Sequence, residues 1–168
     1  MRSHVNTVRD QLTKEQWAAV AATVRGNNPG MAVGTAGRIV DEGLKFVVAC
    51  TRFPGAGLAP SRVVDEGWHG LILHTKVYAD LCASLGAGFV HHFPGWDPMH
   101  YDPTVLDRTR EKIRACGYDV DEALWGPPTG TPLVPVAANC QHSTECTIRP
   151  MPTPQPPCSQ EVTGPALA

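Results

Sequence analysis

Between Ser61 and Leu85 the chain carries one long helical pattern, and in its first half that pattern is apolar on nearly every side. At about 100° per residue, Val64, Trp68, Leu71, Thr75, Tyr78, Leu81, Cys82 and Leu85 share one broad face. Asp65, His69, Leu73, Lys76 and Asp80 take the other, with Ile72 and Leu73 flanking His69. A helix that is apolar all round is a buried helix. Asp65 and His69, four apart and stacked on one face, are therefore expected inside the protein. Burying a carboxylate and an imidazole is unfavourable unless each finds a partner. This segment accordingly demands a bundle of helices around it and something polar or cationic beside it.

The rest of the punctuation is helical too. Thr13-Lys14-Glu15-Gln16 reads as a capping box opening a short helix, with Trp17, Val20 and Val24 inward and Gly26 as its stop. Asn28-Pro29 reads as an N-cap and first-turn proline ahead of a helix over Met31–Cys50. The glycines of that helix, Gly34, Gly37 and Gly43, weaken it but would admit a close neighbour. The central helix is expected to end at Gly86 and Gly88. Asp102-Pro103 caps a helix over Thr104–Cys116, and Asp119-Val120-Asp121-Glu122 repeats the capping-box logic for a last short helix through Trp125. No stretch alternates for long enough to build a sheet. The expectation is an all-α single domain of about five helices over residues 1–126, then a Pro-rich irregular tail over 127–168.

With 168 residues, one ordinary domain is the natural reading. A net charge of -2 gives no electrostatic case for nucleic acid or an anionic membrane surface. The first residues, Met1 to Thr7, lack the apolar run of a signal peptide. No run approaches the roughly 18 apolar residues of a membrane span, so a cytoplasmic location is expected. In that compartment the 6 cysteines read as thiols or metal ligands rather than as a disulfide framework. There is no P-loop, no dinucleotide-binding GxGxxG at a strand–helix junction and no nucleophile elbow.

The side chains that could satisfy Asp65 and His69 lie close by in the chain. Cys82, His91 and His92 complete a window of five potential ligands, and one metal ion would partner several of them at once. His69 and His74 diverge by about 140° on an unbroken helix, which prevents them from gripping one ion together. The constellation expected is His69, with Asp65, closed by His91 or His92 after the Gly86–Gly88 turn; one of these two should point inward and the other elsewhere. Cys82 would join only if the helix bends or the site lies on its other face. Cys140, His142 and Cys146 in the tail have spacing that can wrap a tetrahedral ion or fold back onto the histidines of the bundle. Trp68 and Tyr78 are expected as core aromatics, His100 and Tyr101 as loop contacts, and Cys158 as a bystander.

The same residues carry a family resemblance. Val64-Asp65-Glu66-x-Trp68-His69, Leu73-x-Thr75-x2-Tyr78-x3-Cys82 and Gly88-Phe89-x-His91-His92-x-Pro94 together resemble the small bacterial proteins related to the glycine-rich domain-containing (plant GRDP-like) family. The resemblance covers about thirty residues well and the Cys140 region loosely. The chain departs from the plant members in lacking a glycine-rich repeat region, and in having Gly70-Leu71 where they tend to place another histidine.

The function expected is that of a metal-dependent enzyme acting on a small-molecule or peptide substrate through a His-centred site. Its cofactor would be a transition metal, zinc ahead of iron or copper. Two alternatives differ in class: a non-catalytic metal-stabilised helical interaction module, and a thiol redox switch.

Overall fold

Thr13 opens the first helix as its sequence dictates, with both halves of the capping box formed: Gln16 N–H donates to Thr13 Oγ1 and Thr13 N–H donates to Gln16 Oε1. A computed structural model describes residues 7–86, 88–92 and 102–126. Among them are five α-helices and no strand: α1 (Lys14–Asn27), α2 (Val33–Arg52), α3 (Arg62–Leu73), α4 (Thr75–Leu85) and α5 (Val105–Ala115). Single 3-10 turns at Val8–Gln11 and Glu122–Leu124 flank them. The expected all-α class is correct. The Glu122–Leu124 turn is all that forms of the last short helix, and it has no side-chain cap.

α2 is the hub, packed most extensively on α3 and also on α1 and α5. Its Ile39, Val40, Leu44, Phe46 and Val47 are fully buried and meet Val64, Trp68 and Leu71 of α3 in one core. Two glycines set the α2–α3 approach. A β-carbon on Gly67 would lie 2.2 Å from the Ile39 carbonyl oxygen, and one on Gly43 would lie 2.8 Å from the Gly67 carbonyl carbon. Only residues without side chains allow the helices to come this close. Gly37 serves in a lesser way, meeting the Trp17 ring, whereas Gly34 faces open space.

Three local expectations are corrected. Asn28 does not cap α2; it ends α1, and its buried amide donates to the Val24 carbonyl at 2.8 Å and to Glu66 at 3.2 Å. α2 starts instead after Ala32, without a side-chain cap, and Gly26 lies within α1 rather than stopping it. The central helix is not continuous. It breaks at His74 (φ -89°, ψ 66°), which closes α3, opens α4 and sets its ring nitrogen Nε2 2.8 Å from Thr23 Oγ1 on α1. The outer ends match the sequence: Ser61 Oγ accepts from Val64 N–H, and Gly86 ends α4 in the left-handed conformation at φ 76°.

The segment after α5 is fastened to α2 by a buried carboxylate. Glu42, 1% exposed, accepts from the Trp125 indole at 2.6 Å, from Asp121 N–H at 3.2 Å and from Lys45 at 2.6 Å. Arg38 adds a bidentate pair with Asp121 nearer the surface, which holds the Asp121 carboxyl below the usual range. No described helix is long and apolar enough to cross a membrane.

Candidate metal centre

The site is built on the first turns of α3. Gly67 and Gly43 hold this part of α3 against α2, and Asp65 lies beside that crossing with only 1% of its surface exposed. One helical turn later, on the same face, His69 is half-buried, its side chain 30% exposed. The third member arrives from the segment after α4. A buried chain of hydrogen bonds aims it: the Trp68 indole N–H donates to the Tyr78 hydroxyl at 2.9 Å, and that hydroxyl donates to the Val90 carbonyl at 2.5 Å. With Val90 tied down, His92 returns over α3, its ring 4.6 Å from Trp68 and 4.4 Å from His69, centroid to centroid.

Asp65, His69 and His92 thus converge, each offering a ligand atom, with these atoms all within 4.8 Å of one another. His92 Nε2 lies 3.2 Å from Asp65 Oδ1. His69 Nδ1 lies 3.7 Å from Asp65 Oδ2, and neither atom has a hydrogen-bond partner among the described residues, although both are buried. That separation is too long for a hydrogen bond. It is close to the spacing of two ligands on one tetrahedral ion, about 3.3–3.6 Å for metal–ligand bonds of about 2.0–2.2 Å. Orphaned buried polar atoms are rare in folded proteins and call for a partner.

The electrostatics point the same way. Asp65 and Glu66 are both buried, and among the described residues neither makes an ion pair with a lysine or arginine. The buried Glu42, in contrast, has Lys45. The Asp65 carboxylate beside it raises the His69 imidazole above its ordinary range, against an opposing effect of burial. The site therefore attracts positive charge, which a proton or a metal ion can supply.

Of the ligands anticipated, the fold brings together Asp65, His69 and His92. His91 turns away, its ring 4.8 Å from Phe89, as expected of one of two adjacent histidines. Cys82 does not join, even though the helix breaks. It is buried beside Tyr78 and the Val90 backbone, and burial pushes its thiol up. Tyr78 is the core aromatic expected, its phenol also pushed up by burial, but it does more than fill space. Its hydroxyl positions the His92 segment, and nothing in a single sequence marks that contact. His100, Tyr101, Cys140, His142, Cys146 and Cys158 lie outside the described residues.

A helical bundle with a two-histidine, one-carboxylate cluster at its edge defines a small all-α protein with a candidate metal-binding centre. Residues 9–101, which hold all three candidate ligands, match the profile of the UCP032817-like family, and the chain belongs to that family. This corrects the resemblance to bacterial relatives of the glycine-rich domain-containing proteins, since the family that covers those motif segments is a different one. No curated protein and no solved structure matches the chain.

Proposed function

We propose that the protein is a metal-dependent enzyme whose ion is held by Asp65, His69 and His92 and which acts on a small metabolite or a peptide. The observation that carries this reading is the pair of buried atoms Asp65 Oδ2 and His69 Nδ1, 3.7 Å apart beside His92 and without a hydrogen-bond partner among the described residues. Three protein ligands are the mark of catalytic centres, which keep a coordination position for water or substrate, whereas structural zinc sites close with four. The partial exposure of His69 gives solvent a route to such a position. When bound there, the ion would polarise a carbonyl or lower the pKa of a water molecule.

Two imidazoles and a carboxylate suit zinc and ferrous iron. We place zinc first because it imposes no geometric preference of its own and so tolerates a triad as irregular as this one. With Cys82 elsewhere, no thiolate among the described residues argues for copper.

The alternatives have less support. A structural staple is not needed where Gly43 and Gly67 already lock α2 on α3. A thiol switch needs accessible, acidified cysteines, while burial pushes the Cys82 and Cys116 thiols up. X-ray absorption on the metal-loaded protein separates these readings. Two imidazoles, one carboxylate and at least one exchangeable solvent oxygen are expected; a shell saturated by four protein ligands would remove the enzyme from consideration.

A further inference from the structure

We infer that Arg62 is the anion-binding residue of this same site and that it selects a substrate with a terminal carboxylate or phosphate; the inference rests on the metal reading above. Arg62, Asp65, Glu66 and His69 are spaced i, i+3, i+4 and i+7 on α3, so they form one stripe on the helix. Along the helix axis Arg62 is about 4.5 Å from Asp65 and about 10 Å from His69, within the span of a small molecule that also touches the ion.

What distinguishes Arg62 is a buried Nε on a side chain that has no ion pair or hydrogen bond among the described residues. Arg62, Arg108 and Arg110 each have a buried, unbonded Nε. Arg108 directs its terminal nitrogens to Asp102 and the Gly57 carbonyl, and Arg110 to Asp107 and Glu122. Arg62 makes no ion pair or hydrogen bond among the described residues. Nor does it fold back on the two carboxylates one turn away, whose oxygens face His69, His92 and Asn28. Its Nε is buried while its guanidinium has no acceptor among the described residues, and that planar fork matches an oxyanion in two-point contact.

The charges agree with this assignment. Without an ion, buried Asp65 and Glu66 would repel an anion. A divalent ion offsets those two formal charges and leaves the positive charge of Arg62 for the substrate. A compound with an oxyanion at one end and its reacting group at the other would then bridge Arg62 and the metal.

The test uses the full chain loaded with cobalt(II), whose visible absorption reports what binds the ion. The probes are malonate, succinate and phosphonoacetate, with acetohydroxamate as a ligand that needs the metal alone. The parent should bind the dianions, and Arg62→Gln should bind them about ten- to a hundredfold more weakly. Arg62→Lys should recover part of that loss. Cobalt content and acetohydroxamate affinity should stay at parent values in both variants, which also shows that the site is still folded. Stronger binding of phosphonoacetate than of the dicarboxylates would identify phosphate as the preferred group, and the reverse order carboxylate. Equal dianion affinity in a cobalt-loaded parent and Arg62→Gln would overturn the role of Arg62 alone. A parent that takes up no cobalt(II) would overturn the metal reading and this inference with it.

Discussion

Gly67 of α3 sits so close to Ile39 of α2 that a β-carbon would lie 2.2 Å from the Ile39 carbonyl oxygen. The contact is between backbones, so no side-chain rotation can relieve it. Gly67 also lies between Asp65 and His69, so this crossing fixes the helix that carries both. Gly67→Ala is expected to lower stability by about 3 kcal/mol and to weaken metal binding in whatever fraction still folds. Chemical denaturation alongside metal titration measures both effects. Parent-like stability would mean that α2 and α3 do not cross this closely.

Tyr78→Phe removes a hydroxyl that both accepts from Trp68 and donates to Val90. The ring and its packing remain, while a buried indole N–H and a buried carbonyl lose a partner. A loss of about 1–3 kcal/mol follows. Because Val90 precedes His92 by two residues, metal affinity should fall although no ligand has changed. Unaltered affinity would show that His92 is held in place by other contacts.

Glu42 supplies the contrasting case. Its carboxylate joins α2 to Trp125 and Asp121, and it takes no part in the Asp65 cluster. Glu42→Ala should destabilise the fold by about 3 kcal/mol yet leave the metal stoichiometry of the folded protein unchanged. Thermal unfolding and elemental analysis of one preparation give both quantities.

The raised pKa of His69 gives a signed dependence on pH in metal-free protein. Its pairing with Asp65 contributes stability that is fully present below the unfolded value of about 6.5 and is lost as pH rises through the higher folded value. With chelator present, the stability difference between the parent and His69→Gln should be greatest in mild acid and should close at alkaline pH. A metal ion must displace this same proton, so affinity should fall on acidification sooner than at an ordinary histidine. A difference that widened with rising pH would contradict the pairing.

What the sequence made legible was local. The Thr13–Gln16 box, the helix start at Ser61 and the Gly86 stop each act within one or two turns, and each lies where the residues put it. The buried Asp65 with His69 on its face was legible for the same reason, since periodicity alone stacks them. The break at His74 was not. Leu73-His74-Thr75 contains no proline or glycine, and the ring of His74 is held by Thr23, far away in the chain. The choice of His92 over His91 likewise depends on Tyr78 reaching Val90, a tertiary contact without a local signature. Cys82 shares a stripe with Tyr78 and packs with it in the core, so its chemistry is that of a buried thiol. Asn28 had the right residue type for a cap and the right neighbour in Pro29, but burial beside Glu66 gave it a different task.

Elemental analysis of the purified parent beside Asp65→Asn, His69→Ala and His92→Ala tests the central claim most directly. About one equivalent of a transition metal is expected in the parent, with a large loss in every variant while helical content is retained. Metal content that is the same in all four proteins would contradict the account and place the ion away from α3.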